Sequence, residues 1–108
     1  MRVQITARHC EIPAEIRERT EVQVASLEKY SPRASAADVV YTEEKLDKVV
    51  EIIVHIHGEE PVVATGRELD FRTALDQVVE RASRMLRKQR ERHTDHQARP
   101  RSERAAPK

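Results

Sequence analysis

Cysteine, glycine and aromatic residues are scarce in this chain, and each shortage excludes a class of protein. The 108 residues include a single cysteine, Cys10, so no disulfide can form within the chain. Only two glycines are present, which excludes a glycine-rich loop that cradles phosphates. The aromatic residues Tyr30, Tyr41 and Phe71 are all expected in or beside the core, so no exposed platform remains on which single-stranded bases could stack.

Long apolar runs are missing as well. The N-terminus alternates from Met1 to Thr6 like a strand, without the apolar segment of a signal peptide, and no later run could span a bilayer. We therefore expect a soluble, cytoplasmic protein with no membrane partner. With 38% hydrophobic and 36% charged residues the chain lies near the polar limit for folding, so a single domain with a thin core is expected.

Charge is distributed unevenly, although the formal net charge is only +1. Residues 1–70 hold nine Lys and Arg against fourteen Asp and Glu, a balance of −5. Residues 71–108 hold eleven against five, a balance of +6. This division indicates an acidic body that avoids indiscriminate polyanion binding and a basic end that docks on a partner.

Periodicity predicts the order strand, helix, three strands, helix. The strands are expected at Arg2–Ala7, Ala37–Glu43, Lys48–His57 and Val62–Arg67, and the helices at Pro13–Tyr30 and from Asp70 to about His93. Short connections favour hairpins among the last three strands, so both helices can pack on one face of a four-stranded sheet. The predicted fold class is α+β, β-α-β-β-β-α, with a domain at 1–93 and a disordered basic tail at 94–108.

The same periodicity selects core positions and an open sheet face. The inward positions of the first helix and the third strand are Ile16, Thr20, Val24, Leu27, Val50, Ile52, Val54 and Ile56. The last helix has an apolar face made of Phe71, Ala74, Leu75, Val78, Val79, Ala82, Met85 and Leu86. The open face of the sheet should be polar and carry Thr6, Glu51, His55 and His57.

The last helix carries a one-sided stripe of cations. At about 100° per residue, one sector beside the apolar face holds Arg81, Arg84, Lys88 and Arg92. Arg90 points elsewhere on the helix, and Arg87 lies between. Cations on a rigid element can neutralise several phosphates at once, which indicates a nucleic-acid partner. A solvated helix face with no partner is the alternative that this pattern leaves open.

No persuasive active site is present, so we expect no enzymatic activity, cofactor or small-molecule substrate. His55 and His57 would share one side of a strand, but they could ligate a metal only if further ligands converged, and we interpret them as surface histidines. Asp70 and Asp76 fit a helix N-cap and a solvated first-turn acid better than a catalytic pair. Nothing around Cys10 marks it as a nucleophile, so a structural thiol is expected.

Short segments in a fixed order carry a family resemblance: Ile5-Thr6, Arg8-His9, Glu11-Ile12, Leu27-Glu28-Lys29-Tyr30, Glu44-Lys45, Val50-Glu51, Asp70, Ala74-Leu75-Asp76 and Arg84-Met85-Leu86-Arg87-Lys88. Over about residues 1–93 the chain resembles the short ribosome hibernation-promoting factors, also described as ribosome-associated translation inhibitors. The resemblance implies the strand-helix-three-strand-helix fold and binding to the small ribosomal subunit in the channel used by messenger and transfer RNA. It also implies that translation is blocked while the idle ribosome is protected.

Carried over to matching positions, the resemblance implies contacts with ribosomal RNA. The candidates are Arg81, Arg84, Lys88, Arg90 and Arg92, with Arg87 beside them on the helix and Arg8 and Lys45 as weaker matches. The first helix has Gln23 and Ser26 where the family often has Lys, so it is not counted among these contacts. Resemblance and helical geometry disagree on Arg90, and we side with geometry.

The sequence therefore predicts a ribosome hibernation factor without enzymatic activity, monomeric off the ribosome. Its cations would pair with phosphates of ribosomal RNA, and its body would occlude the channel that messenger and transfer RNA need. The alternative, from a different class, is a small interaction module whose basic helix docks on an acidic protein partner.

Overall fold

The computed structural model describes the backbone of residues 1–105 and the side chains of residues 1–92. The strands are β1 (Arg2–Arg8), β2 (Ala34–Glu44), β3 (Asp47–Ile56) and β4 (Val62–Glu68), and the α-helices are α1 (Ala14–Ala25) and α2 (Phe71–Ala105). Side chains from both helices share one core with the inner face of the sheet. The predicted element order and fold class are confirmed.

The four strands form one mixed sheet in the order β1-β2-β3-β4. β1 pairs with β2 in parallel, with Ile5 opposite Val39. The other two pairs are antiparallel, with Val39 opposite Ile52 and Ile52 opposite Ala64. Because two parallel neighbours need a crossover, residues 9–33, including α1, pass over the inner face between β1 and β2. β1 and β4 are the edge strands of the sheet, and β4 is the one beside α2.

Predicted core positions in the first helix and in β3 are buried. They are Ile16, Thr20, Val24, Leu27, Val50, Ile52, Val54 and Ile56. On the open face, Thr6, Glu51 and His55 stand at alternating outward positions as predicted, whereas His57 follows the end of β3. That face is less polar than expected, because Ile53 and Val63 are paired across β3 and β4 on it.

The first helix is shorter than predicted. α1 ends at Ala25, and Ser26–Tyr30 continue as a 3-10 turn. The Ser26 hydroxyl donates to the carbonyl oxygen of Gln23 at 2.6 Å. Such a local bond from a serine side chain to the backbone competes with the regular helical pattern, which explains a change of helix type here.

α2 is longer than predicted, since its backbone continues to Ala105 beyond the expected end near His93. Local propensity does not account for this extension, because Pro100 lies inside it and proline is the poorest residue for a helix interior. The predicted tail spans residues 94–108. Its side chains, and residues 106–108 altogether, lie outside the described part of the chain.

Buried hydrogen bonds join α1 to β2 at the centre of the core, and an aromatic contact adds α2. The Thr20 hydroxyl donates to the carbonyl oxygen of Ile16 at 2.6 Å and also bonds to the Tyr41 hydroxyl. Because Thr20 has one hydroxyl proton, Tyr41 must be the donor in the second bond. Burial raises the pKa of Tyr41, so its phenol stays protonated. The Phe71 ring at the start of α2 meets Tyr41 edge-on, with 5.2 Å between centroids.

Candidate nucleic-acid interface

Asp70 fixes the start of the helix that carries the candidate cations. Its carboxylate accepts hydrogen bonds from the Thr73 backbone N–H at 2.8 Å and from the Thr73 hydroxyl at 3.0 Å. These bonds lower the pKa of Asp70, since they favour its charged form. The predicted N-cap is confirmed, and it fixes the residue at which the helix begins.

Gly66 brings α2 unusually close to β4. A Cβ atom at position 66 would lie 2.5 Å from the carbonyl oxygen of Ala74 and 3.1 Å from Cβ of Val78. No larger residue fits without moving the helix backbone. Gln77 fastens the same region, because its Oε1 accepts from the Arg67 N–H at 2.8 Å and its Nε2 donates to Glu68 at 2.9 Å. The helix is therefore held rigidly beside the outer strand.

We define the basic strip as Arg81, Arg84, Lys88 and Arg92, all of which are exposed. The first three line one groove between α2 and β4, as their shared helical sector predicts. Arg81 Nη1 donates to the carbonyl oxygen of Thr65 at 2.5 Å. Within the described part of the chain, Arg84 makes one long contact, 4.0 Å, with Glu80, and both side chains are mostly exposed. Arg84 thus remains accessible to a partner, whereas Arg81 is partly engaged by the fold.

The groove beside the strip is lined in part by exposed apolar residues that sequence reasoning missed. Its volume is about 840 Å³, and its lining includes Val63 and Met85. Met85 was expected to face the core but is 41% exposed, and Val63 is 44% exposed. The signal for Val63 was available, since it is an apolar residue at an outward position of a strand whose inward positions are Val62 and Ala64.

Arg87 lines the same groove as the strip, as does the acidic Glu91, whereas Arg90 lies away from it. The Arg87 guanidinium lies 5.3 Å from the centroid of the Tyr30 ring, and Tyr30 is the last residue of the 3-10 turn. Arg90 lines a separate cavity of about 220 Å³ together with Arg33 and Glu59. Helical geometry therefore describes Arg90 correctly as lying off the strip.

The two weaker candidates lie at the other end of the sheet. Arg8 ends β1, opposite Thr42, and Lys45 stands in the two-residue turn between β2 and β3, with a φ of 60°. The far part of α2 instead reaches the opposite end, where Gln89 Nε2 contacts the carbonyl oxygen of Glu60 at 3.4 Å. The fold does not bring Arg8 and Lys45 together with the basic strip.

Reactive side chains elsewhere are tied into local contacts. His55 Nε2 lies 2.9 Å from an oxygen of Asp38 on the neighbouring strand. Burial and the nearby Glu43 raise the pKa of the Cys10 thiol, which donates to the Tyr41 carbonyl oxygen at 3.5 Å. Among the described residues, no three side chains of the His, Cys, Asp and Glu types are grouped to hold a metal ion. Within the same range, no helix has the length and apolarity to cross a membrane.

Comparison with known proteins assigns a family to this arrangement. A family described as "Sigma 54 modulation protein / S30EA ribosomal protein" matches residues 3–94. The ribosome hibernation promoting factor of Azotobacter vinelandii is 29% identical over 97 residues, which cover 90% of each chain. The ribosome hibernation promoting factor of Pseudomonas putida is 30% identical over 91 residues, which cover 84% of this chain and 88% of the relative.

Solved structures show the same fold. The ribosomal subunit interface protein from Coxiella burnetii superposes with a TM-score of 0.75 at 22% identity, over 84% of this chain and 99% of that one. The N-terminal domain of Protein Y from Thermus thermophilus superposes with a TM-score of 0.71 at 26% identity, over 82% of this chain and 98% of that one. The family match over residues 3–94 includes parts of all four strands, the whole of α1, and α2 as far as the end of the basic strip.

Proposed function

The chain belongs to the sigma 54 modulation protein / S30EA ribosomal protein family, which includes ribosome hibernation factors, and on that premise we propose how it acts. It binds the small ribosomal subunit through ribosomal RNA in the cytoplasm. Once bound, it occludes the channel for messenger and transfer RNA and so blocks translation by an idle ribosome. The family is one of ribosome-associated factors and not of enzymes, and the proposed mechanism is steric, without catalysis.

The observation that carries this proposal is the basic strip on a rigid helix. Arg84 and Lys88 are exposed on one side of α2, and the Asp70 cap and the close contact at Gly66 fix that helix on the sheet. The helix fixes where these side chains are attached, so RNA binding must order the side chains but not the backbone. The strip therefore suits a folded RNA whose phosphates are themselves held in place.

The remainder of the domain contributes bulk more than charge. Residues 1–70 carry a balance of −5, and near Lys45 the cation Arg67 is paired with Glu44 at 2.7 Å and with Asp47 at 2.9 Å. Like charges repel, so this acidic body disfavours further RNA around it. We propose that the strip anchors the protein while the body fills space that RNA ligands need.

Competition on purified small subunits tests the occlusion mechanism. The protein should sediment with the subunits, and prior loading of messenger and transfer RNA should lower the bound fraction severalfold. Equal binding to loaded and empty subunits would contradict occlusion. Nuclease digestion of a lysate before sedimentation should release the protein, whereas a complex with an acidic protein partner would survive that treatment.

A matched pair of double variants tests the strip itself. Arg84→Glu with Lys88→Glu should abolish co-sedimentation, because two attractive contacts become repulsive. Arg2→Glu with Arg17→Glu changes the net charge by the same amount at exposed positions on β1 and α1. This control should keep most of the binding. Equal losses in the two variants would show that net charge, and not the strip, governs affinity.

A further inference from the structure

The exposed apolar side chain of Met85 is not needed to neutralise phosphates. Met85 is 41% exposed and lines the same groove as Arg84 and Lys88, and Val63 lines that groove at the edge of β4. A partner that offered only phosphates would leave the Met85 side chain in contact with water. The pairing of an apolar surface with adjacent cations instead matches a nucleotide, which has a flat apolar face and a charged backbone.

The outer edge of β4 adds hydrogen-bonding groups to this groove. The carbonyl oxygen of Thr65 accepts from Arg81 of α2, so it points away from β3. In a strand the main-chain groups alternate sides, and the N–H and C=O of Val63 therefore lie on the same outer edge. A neighbouring donor and acceptor are also what the Watson–Crick edge of a base presents.

We infer that the groove receives one unstacked base of ribosomal RNA. Met85 contacts its face, the main chain of Val63 can pair with its edge, and Arg84 and Lys88 contact the flanking phosphates. A peptide added as a strand to β4 fits less well, because Arg81 already occupies the Thr65 carbonyl oxygen and shortens the free edge. This inference rests on the proposed function and assigns a base contact to its RNA surface.

Met85→Gln tests the base contact, with Val22→Gln as the control. Both positions are exposed helical sites, at 41% and 71%, and glutamine keeps good helix propensity. We expect Met85→Gln to weaken binding to purified small subunits by roughly five- to tenfold at every salt concentration. The slope of log affinity against log salt should stay unchanged, because no phosphate contact is lost. Val22→Gln should bind like the unmodified protein.

Chemical probing of the RNA locates the base. Reagents that modify Watson–Crick edges should find one base in the bound subunit that the unmodified protein protects and that Met85→Gln, at saturating concentration, leaves reactive. Full affinity of Met85→Gln, or protection that the variant does not change, would overturn the base contact alone and leave the proposed function intact. A photoreactive residue at position 85 that cross-links to ribosomal protein instead of RNA would also overturn it. No binding of the unmodified protein would overturn both.

Discussion

The guanidinium of Arg81 donates a hydrogen bond to the main-chain oxygen of Thr65 at 2.5 Å, which ties α2 to the outer edge of β4. An outer strand presents main-chain groups that invite pairing with another chain, and a side chain bonded to that edge blocks such pairing. Arg81 therefore has a structural role in addition to its place in the basic strip.

Replacing Arg81 by Ala should lower stability more than replacing Arg84 by Ala. The first change removes the bond to Thr65, whereas among the described side chains Arg84 makes only the long contact with Glu80. We expect the melting temperature to fall by roughly a few degrees for Arg81→Ala and to change little for Arg84→Ala. Equal melting temperatures would show that the bond to Thr65 contributes nothing measurable in solution.

Binding to small subunits should weaken steeply as monovalent salt is raised. With about four to six cations near phosphates, the log–log slope should be on the order of −3 to −5. Arg84→Ala and Lys88→Ala should each make the slope shallower by about one, and the variant difference is measured at constant magnesium. An affinity independent of salt would contradict an electrostatic anchor.

Position on the helix should matter as well as charge. Lys88→Glu and Arg90→Glu change the net charge equally, but Lys88 lines the groove and Arg90 lines the separate cavity near Arg33. Lys88→Glu should remove most inhibition of in-vitro translation, and Arg90→Glu should reduce it only in part. Because both side chains are exposed, each variant should unfold within about half a kcal/mol of the unmodified protein. If Arg90→Glu is the more damaging, RNA surrounds the helix end.

The cap at Asp70 should make stability depend on pH. Its hydrogen bonds with Thr73 lower its pKa from the ordinary 3.8, so its stabilisation is fully present above pH 3.8 and is lost as pH falls through the lower folded value. In urea unfolding, Asp70→Ala should therefore cost more stability at pH 7 than in acid below the folded pKa, where the protonated carboxyl is only a neutral cap. Asp70→Asn replaces the carboxylate with a neutral capping oxygen, so the stabilisation that this side chain provides should not depend on pH.

Gly66→Ala should destabilise the domain by about 1–3 kcal/mol. The added Cβ would meet the main-chain oxygen of Ala74 at 2.5 Å, so the helix backbone must move away from β4. Urea unfolding measures the change, with Thr65→Ala as the control at an exposed neighbouring position. An unchanged urea midpoint for Gly66→Ala would mean that α2 can move away from β4 without loss of stability.

Much of the fold could be predicted because periodicity reports burial directly. Alternation placed Ile52 and Val54 of β3 in the core, and helical spacing did the same for Thr20 and Val24 of α1. The N-cap at Asp70 could be predicted for the same reason, because its side chain bonds to Thr73, only three residues along the chain. Each of these features depends on residues that are close in sequence.

Features that depend on tertiary placement could not be predicted in this way. The bond from Arg81 to Thr65 and the exposure of Met85 follow from how closely α2 lies beside β4, which the contact at Gly66 sets. The separation of Lys45 from the basic strip follows from strand directions. Which of the predicted cations contact RNA stays a prediction, since a surface alone does not identify the contacts of a complex.

The parallel pairing of β1 with β2 has a consequence for the order of folding. β2 and β3 are joined by a two-residue turn, so they can meet by closing a short loop, whereas β1 reaches β2 only across residues 9–33. The core also needs Leu75 and Leu86 from the last helix. We expect the β2–β3 hairpin to form early and the N-terminal strand to add late, although the ribosome synthesises that strand first.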